Sequence, residues 1–320
     1  MKVGLIGSGS WACALASLIC QNRHTLLWWV RRPEVAATLR REGRHLEVFP
    51  EYVFPQQCVE FVTSDITAVL GEAELLILAI PARYVWSTLE KVDFPEGVPW
   101  VSGTKGLLFE TGLRPSEYLS RRGVKELAIL SGPSYAEEVL ACRPTWVGLG
   151  TASFHLREVV QAVLGTSFFH LLPTAAVESL EWVGILKNIY AIGIGAVSLL
   201  GDNARAALAA AMLRELQAIL SVWVPEEKVE VLSPPWAGDF LVTAFGTLSR
   251  NQRLGQYLAQ GYRPRTALAR LGTEAEGYYA ALSLRSRISP EFPLLYTITR
   301  VLNEEELSEN LSSHLLRLLS

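Results

Sequence analysis

The 320-residue sequence has little of several features that would assign it to particular classes of protein. Its four cysteines, Cys13, Cys20, Cys58 and Cys142, form no C-x-x-C pair and no metal-ligand spacing, so we expect reduced thiols and no metal site. Basic residues are not in excess, since 29 Lys and Arg stand against 32 Asp and Glu, and a nucleic-acid partner is therefore not expected. The longest apolar stretch, Ile189–Leu200, is too short to span a membrane.

The N-terminal segment also lacks the features of a secretory signal. Its apolar run from Lys2 to Cys20 is interrupted by Gly7–Ser10, and no small-residue cleavage site follows. We therefore expect a cytoplasmic protein. Half of the residues are apolar, which in a chain of this length supports a large buried core and suggests two domains.

Short apolar runs alternate with helical patterns in the first half of the sequence. The runs are typical of strands buried on both faces and are Lys2–Gly7, Leu26–Val30, Glu74–Ile80, Val98–Ser102 and Leu127–Ser131. Helical periodicity separates them at Trp11–Gln21, Glu34–Arg41, Tyr84–Lys91 and Arg114–Arg122. This alternation predicts a doubly wound parallel sheet, to which Thr145–Gly150 and Ser167–Leu171 could add strands at one edge.

After Pro173 the pattern becomes helical. Long amphipathic or buried helices are predicted at Ala175–Val197, Ala204–Val222, Arg250–Gln260 and Tyr278–Arg287. The sequence therefore predicts an α/β protein, with a sheet domain over residues 1–178 and an all-helical domain over residues 179–320.

A glycine-rich turn, Gly7–Ala12, lies between the first predicted strand and the first predicted helix. Its G-x-G-x-x-A pattern in this context is typical of Rossmann-like dinucleotide-binding sites. Gly7 would allow the tight turn, and Gly9 would let the backbone approach a pyrophosphate. The helix that begins near Ser10 would present its N–H groups to that anion. The alternative is an ordinary glycine-rich turn.

The end of the second predicted strand indicates which dinucleotide is preferred. An NAD site usually has an Asp or Glu about 20 residues after the glycines, but here the segment Trp28–Pro33 contains no acid. Arg31 and Arg32 suit the 2′-phosphate of NADP, so we expect NADP to be favoured, with NAD as a second cofactor. The alternative is a pair of solvated arginines at the start of a helix.

Two turns follow predicted strands at the edge of the sheet where ligands bind. Lys105, between Thr104 and Gly106, could attract a substrate phosphate or polarise a carbonyl, or it could be a plain surface lysine. Ser134, in the second turn, could instead form a capping box with Glu137.

Lys187 lies in a strongly apolar helical segment, beside Asn188. Charged side chains rarely lie in such surroundings without a partner or a function, and burial near a second cation would lower the proton affinity of this amine. The pattern favours a group that transfers protons near neutral pH. The alternative is a lysine that extends from a buried helix to solvent.

Further candidates are Asp239 and the segment Ser249–Asn251. Asp239 could orient a substrate hydroxyl or the lysine. Arg250 and Asn251, near a predicted helix N-terminus, form a candidate phosphate clamp. A plain N-cap is the alternative role of Ser249.

Taken together, these segments resemble the NAD(P)-dependent glycerol-3-phosphate dehydrogenases of the bacterial type. The matching segments lie in order along nearly the whole chain and are Gly7–Ala12, Thr104–Leu107, Gly132–Val139, Lys187–Ala191, Asn203–Leu208, Gly238–Leu241, Ser249–Arg253 and Glu276–Tyr278. The resemblance implies a Rossmann-like N-terminal domain, a helical substrate-binding domain and a reaction in the cleft between them. It also implies reversible reduction of dihydroxyacetone phosphate by NAD(P)H to sn-glycerol 3-phosphate for phospholipid synthesis. A homodimer is expected as well.

The resemblance further implies roles for individual residues. Lys187 would exchange a proton with the carbonyl oxygen, with Lys105 and Asp239 as further catalytic residues. The residues implied to bind substrate are Lys105, Gly132, Ser134, Asn188, Asp239, Thr243, Ser249, Arg250 and Asn251. Those implied to bind the dinucleotide are Gly7, Gly9, Ser10, Trp11, Arg31, Arg32, Lys105, Ala136, Arg250, Ala275 and Glu276. For Glu276, a capping box with Thr273 is the alternative.

The sequence departs from the family pattern at three places. Ala12 replaces the usual glycine, Trp236–Ala237 replaces Gly-Leu before Gly238, and the stretch Gly195–Gly201 is shorter than usual. Two alternative functions stay open. One is a related 3-hydroxy acid dehydrogenase of the same fold, and the other is a non-catalytic NADP(H)-binding protein.

Overall fold

The computed structural model describes residues 1–307 and 311–319. The chain divides into two compact units. The first contains Met1–Thr104 and Arg114–Val177, and the second contains Lys105–Leu113 and Glu178–Ser320. The domain ranges 1–178 and 179–320 stay predictions.

The first unit is built on one eight-stranded sheet with the strand order β3-β2-β1-β4-β5-β6-β7-β8. Its strands are Lys2–Ile6 (β1), Thr25–Trp29 (β2), Val59–Thr63 (β3), Leu75–Leu78 (β4), Trp100–Ser102 (β5), Leu127–Ser131 (β6), Thr145–Gly150 (β7) and Phe169–Thr174 (β8). Neighbouring strands are parallel except β6 and β7, which run antiparallel. The predicted α/β class with a doubly wound, mostly parallel sheet is confirmed, and both possible edge strands, β7 and β8, are present.

The strand β3 was not predicted from the apolar runs. Its sequence, VEFVT, contains Glu60, and only Val62 is buried, because β3 is an edge strand. A strand that is partly open to solvent lacks the continuous apolar run of a strand buried on both faces. The sequence pattern is therefore weakest at the edge of the sheet.

Helices pack against this sheet. The helices of the first unit are Ser10–Gln21 (α1), Pro33–Glu42 (α2), Ile66–Glu72 (α3), Val85–Leu89 (α4), Pro115–Arg121 (α5), Ala136–Leu140 (α6) and Phe154–Leu164 (α7). All residues of α1 from Ala12 to Cys20 are buried. Trp28 of β2 is also buried and donates a hydrogen bond from Nε1 to the carbonyl oxygen of Gly7 (2.6 Å), which holds the turn after β1.

The second unit is helical. Its helices are Val177–Val197 (α8), Asp202–Trp223 (α9), Asp239–Phe245 (α10), Arg250–Ala259 (α11), Pro264–Leu271 (α12), Glu276–Leu284 (α13), Pro293–Leu302 (α14) and Leu311–Arg317 (α15). Two segments, Val177–Leu200 and Asp202–Trp223, are long and apolar enough to cross a membrane. The first of them is mostly buried inside the protein, as is typical of the core helix of a folded domain.

A buried carboxylate connects three helices of the second unit. Glu215 of α9 accepts hydrogen bonds from the Tyr190 hydroxyl of α8 and from the backbone N–H groups of Leu294 and Leu295, each at 2.8 Å. The last two bonds satisfy donors in the first turn of α14, which otherwise have no partner within the helix. Burial raises the pKa of Glu215, and the backbone N–H groups oppose this shift.

Two of the four cysteines form a disulfide, so the expectation of four reduced thiols is wrong. Cys20, near the end of α1, is bonded to Cys58, which directly precedes β3, and their Cα atoms lie 5.4 Å apart. Cys13 is a buried free thiol, and Cys142 is an exposed one. Cys20 and Cys58 are 38 positions apart in sequence, so only the fold brings them together.

Candidate active site

The glycine turn begins where β1 ends. Gly7 has a φ of +132°, a backbone conformation that residues with a side chain rarely adopt. A Cβ at this position would lie 2.3 Å from the carbonyl oxygen of Ala79. Gly9 has the opposite surroundings, since a Cβ at this position would meet no atom within 4 Å. The fold therefore requires Gly7, whereas the space beside Gly9 is open to a bound group.

The helix α1 begins directly after Gly9, so the first-turn N–H groups at Ser10 and Trp11 have no partner within the helix. The Trp11 indole packs against Gly103, where a Cβ would lie 2.6 Å from Nε1. This buried indole N–H has no hydrogen-bond partner in the described part of the chain. Because a helix N-terminus stabilises an anion, the turn fits the pyrophosphate of a dinucleotide.

The two arginines after β2 have different partners. Arg32 pairs with Glu47, and its Nε lies 3.8 Å from Oε1 of Glu34. Arg31 is exposed, and its guanidinium carbon lies 5.1 Å from the centre of the Tyr84 ring. Arg31 forms no ion pair with a carboxylate of residues 1–307 or 311–319. Of the two arginines, it is therefore the better ligand for an added anion.

The turn after β6 carries three of the predicted site residues. A Cβ on Gly132 would lie 2.9 Å from the Cα of Val147 in β7, so this glycine allows the two strands to approach closely. The Ser134 hydroxyl donates to the Gly132 carbonyl oxygen (3.0 Å), and α6 begins at Ala136 without a side-chain cap. The capping box of Ser134 with Glu137 is therefore wrong.

In the second unit, one buried carboxylate contacts two lysines. Asp239, the first residue of α10, is 1% exposed and accepts hydrogen bonds from Lys187 and, at 3.2 Å, from Lys105. Lys187 projects from α8 and is 5% exposed, so the alternative of a lysine that extends to solvent is wrong. The side chain of Lys105 is 19% exposed, which does not fit a plain surface lysine.

The environment of Lys187 changes its protonation. Burial lowers its pKa from 10.5 to about 7. Asp239 opposes this shift because its carboxylate favours the ammonium form, whereas Lys105 adds to it because a second cation disfavours that form. A pKa near neutral pH is the property that an acid–base group requires, so the environment of Lys187 fits the predicted proton transfer.

The side chains of Asn188 and Asn251 form a network within the second unit. Asn251 donates from Nδ2 to Oδ1 of Asn188 (2.9 Å), and its own Oδ1 accepts from the Gly277 N–H (3.0 Å). Asn188 donates from Nδ2 to Oε2 of Glu276 (3.3 Å). These bonds join α8, α11 and α13. Both asparagines are predicted substrate ligands, and this role stays a prediction; the structure shows them hydrogen-bonded to neighbouring groups.

Glu276 is the first residue of α13 and follows the buried Ala275, which provides no side-chain cap. Thr273 does not cap this helix, and its hydroxyl lies 3.4 Å from Nη1 of Arg250. The capping box of Thr273 with Glu276 is therefore wrong. Burial raises the pKa of Glu276, and the positive charges of Arg250, Lys105 and Lys187 oppose this shift.

The N-terminus of α11 is the candidate phosphate site. The Ser249 hydroxyl accepts a hydrogen bond from the Gln252 N–H (3.3 Å), so the alternative role as an N-cap is confirmed, and the substrate contact of Ser249 stays a prediction. Arg250 is exposed at the first helical position. Because the Asn251 amide is engaged in the network, this residue offers an anion its backbone N–H. Thr243 donates its hydroxyl to the Asp239 carbonyl oxygen (2.8 Å) within α10.

Two residues beside the predicted arginines were not identified from the sequence. Glu47, the partner of Arg32, lies in the loop after α2, and no local pattern indicates this pairing. Tyr84, the partner of Arg31, lies in the short helical turn Ala82–Tyr84 after β4. The rule that ligands bind beyond the carboxyl ends of parallel strands could have directed attention to Tyr84.

Among residues 1–307 and 311–319, no group of three or more His, Cys, Asp or Glu side chains is arranged to hold a metal ion.

Two family models match the chain and together cover most of it. Residues 2–156 match the N-terminal domain of NAD-dependent glycerol-3-phosphate dehydrogenase, and residues 177–312 match its C-terminal domain.

Individual proteins that are similar to this chain support the same family. Glycerol-3-phosphate dehydrogenase (NAD(P)+) of Moorella thermoacetica is 34% identical over 308 residues, which cover 94% of this chain and 91% of that protein. The enzyme of the same name from Lysinibacillus sphaericus is 32% identical over 311 residues, which cover 93% and 91%. The crystal structure of glycerol-3-phosphate dehydrogenase from Coxiella burnetii superposes with a TM-score of 0.90 at 26% identity and covers 98% of both chains. The chain therefore belongs to the NAD-dependent glycerol-3-phosphate dehydrogenase family.

Proposed function

We propose that this protein catalyses the reversible reduction of dihydroxyacetone phosphate to sn-glycerol 3-phosphate with NADPH or NADH. The observation that carries the proposal is the buried Asp239 with Lys105 and Lys187 bonded to it, in a chain of this family. The relatives named above are glycerol-3-phosphate dehydrogenases that use NAD(P)+.

Lys187 is the proton donor in the direction of reduction. When hydride reaches the carbonyl carbon, negative charge develops on the carbonyl oxygen, and an adjacent ammonium stabilises that charge before it transfers its proton. The lowered pKa of Lys187 makes this transfer easier than from an exposed lysine. In the direction of oxidation, the neutral amine accepts the hydroxyl proton of the substrate.

Asp239 and Lys105 prepare Lys187 for this role. One oxygen of the Asp239 carboxylate binds the Lys187 ammonium and fixes its direction. Lys105 bonds to the same carboxylate and adds positive charge, which favours a negatively charged substrate. We assign Asn188 and Thr243 to substrate contacts in the second unit, and Gly132 and Ser134 stay candidates for substrate contacts in the first.

The phosphate of the substrate is assigned to the N-terminus of α11. Arg250 supplies a guanidinium that can bind a phosphate through two parallel hydrogen bonds, and the first-turn N–H groups of α11 add to them. Ser249 flanks this position. Anchoring the phosphate orients the carbonyl group, so binding energy far from the reacting atoms lowers the barrier.

The dinucleotide is assigned to the glycine turn of the first unit. When bound, its reduced nicotinamide supplies the hydride. The backbone at Gly9, Ser10 and Trp11 holds the pyrophosphate, and Arg31 holds the 2′-phosphate of NADPH, for which Arg32 is less available. The remaining residues assigned to dinucleotide contacts are Gly7, Lys105, Ala136, Arg250, Ala275 and Glu276.

We also propose that the product enters phospholipid synthesis and that the active enzyme is a cytoplasmic homodimer. Because the cytosol keeps most thiols reduced, this location predicts that the Cys20–Cys58 disulfide forms in the purified protein and is largely reduced in the cell. Alkylation of free thiols in intact cells, followed by mass spectrometry, determines the state of this pair where the protein functions. Sedimentation of the purified protein determines its oligomeric state.

A spectrophotometric assay tests the proposed reaction. The purified protein should oxidise NADPH and NADH when dihydroxyacetone phosphate is added, and it should prefer this substrate to unphosphorylated dihydroxyacetone. Arg250→Ala should raise the KM for the phosphorylated ketone by about 10- to 100-fold, since it removes charge-assisted hydrogen bonds. Absence of turnover with dihydroxyacetone phosphate and both cofactors, or better turnover of a 3-oxo acid, contradicts the proposal.

A further inference from the structure

An aromatic side chain supports the arginine that we assign to the 2′-phosphate. Arg31 follows β2, Tyr84 follows β4, and β1 lies between these two strands in the sheet. The guanidinium carbon of Arg31 lies 5.1 Å from the centre of the Tyr84 ring. The contact therefore joins the two strand ends on either side of the strand that carries the glycine turn.

A second guanidinium contacts the same ring. The Arg83 guanidinium also lies over the ring, with its central carbon 4.5 Å from the ring centre, and it bonds to the Tyr84 hydroxyl. Arg31 forms no ion pair with the described carboxylates, whereas Arg32 is held by Glu47 and Glu34. Of the two arginines after β2, Arg31 is therefore the one available to an added anion at this end of the sheet.

The ring contact also restricts the motion of Arg31. An exposed arginine has many rotamers, and ordering it on binding reduces affinity. A guanidinium stacked on an aromatic face is already directed, and its edge N–H groups stay available for an anion because stacking uses only its face.

We infer that Tyr84 is a positioning residue that determines the preference for NADPH over NADH, because it holds the Arg31 guanidinium where the 2′-phosphate of the adenosine ribose binds. The inference rests on the proposed cofactor site. The 2′-phosphate is the only difference between the two cofactors. Loss of the Tyr84 ring should therefore lower kcat/KM for NADPH and leave kcat/KM for NADH unchanged.

The test measures kcat/KM for NADPH and for NADH in the wild type, Arg31→Ala, Tyr84→Leu, Tyr84→Phe and the double variant Arg31→Ala/Tyr84→Leu. Leucine keeps an apolar side chain without an aromatic face, and phenylalanine keeps the face without the hydroxyl. Tyr84→Leu should lower the ratio of kcat/KM for NADPH to kcat/KM for NADH by about two- to fivefold. Tyr84→Phe should keep the wild-type ratio, because the aromatic face is retained. Adding Tyr84→Leu to Arg31→Ala should lower the ratio no further, because Tyr84 acts through Arg31.

A matched control is Tyr296→Leu, which removes another arginine–tyrosine contact in the second unit, between half-buried side chains, with Arg300 5.5 Å from the ring centre. Its cofactor ratio should equal that of the wild type. The inference is overturned if Tyr84→Leu leaves the ratio unchanged, either because kcat/KM stays the same or because it falls equally with both cofactors. An unchanged ratio in Arg31→Ala overturns the proposed 2′-phosphate site itself, so the two failures are distinguishable.

Discussion

The candidate sites of the two units consist of different chemical groups. In the first unit, the glycine turn and the start of α1 offer backbone N–H groups, and the local sequence determines their geometry. In the second unit, Asp239 and two lysines come from separate segments, and burial changes their chemistry. A backbone site tolerates most substitutions that keep its conformation, whereas a buried charge cluster fails when one member is removed. Substitutions in the two units should therefore change different measured quantities.

The largest expected effect follows removal of the Lys187 amine. Lys187→Ala removes the proton donor, so kcat for reduction of dihydroxyacetone phosphate should fall by about 10²- to 10⁴-fold. Because Lys187 is not among the residues assigned to the dinucleotide, the Kd for NADPH should stay within about twofold of the wild type. Steady-state kinetics and quenching of tryptophan fluorescence measure the two quantities.

A suitable control is Lys228→Ala, since Lys228 is an exposed lysine of the same unit outside the site. It should have wild-type kinetics. Turnover by Lys187→Ala close to that of the wild type would show that another group supplies the proton.

The disulfide distinguishes the first unit from the second. Replacing Cys58 with Ser releases the cross-link between α1 and the segment before β3, which should lower the free energy of unfolding by about 2–4 kcal/mol. Chemical denaturation followed by circular dichroism measures the change. Cys142→Ser alters an exposed free thiol and should have no such effect. Equal stability of Cys58→Ser and the wild type, both without reductant, contradicts a formed disulfide.

The two turn glycines should separate stability from cofactor affinity. Gly7→Ala introduces a Cβ 2.3 Å from a backbone oxygen at a φ of +132°, so it should destabilise the protein by about 1–3 kcal/mol or more. Gly9→Ala meets no protein atom, so stability should be unchanged while the Kd for both cofactors rises. Thermal unfolding and titration with NADPH and NADH measure these effects. Unchanged affinity of Gly9→Ala for both cofactors would contradict the assignment of the pyrophosphate to this turn.

Features that depend on neighbours in the chain could be predicted. The strands around β1 are continuous apolar runs, and the glycine turn follows one of them directly, so local sequence predicts both. Lys187 was also identifiable, because a charge within an apolar helix is unusual wherever the helix packs.

Features that depend on distant partners could not be predicted in the same way. The Cys20–Cys58 bond, the Arg32–Glu47 pair and the Asn188–Asn251 bond each need the folded chain. Both proposed capping boxes had the right spacing, but neither helix begins where its box required, because helix boundaries are determined by packing as well as by local sequence.

The pH dependence of catalysis in the wild type and in Lys105→Gln tests most directly whether Lys187 is the proton donor. Only the ammonium form donates, so kcat for reduction should fall as pH rises through the Lys187 pKa of about 7, while kcat for oxidation of glycerol 3-phosphate should rise. Lys105→Gln removes a cation that lowers this pKa, so both midpoints should move to higher pH. Midpoints that stay in place when Lys105 is replaced, or rates that do not change with pH over this range, would contradict the assignment.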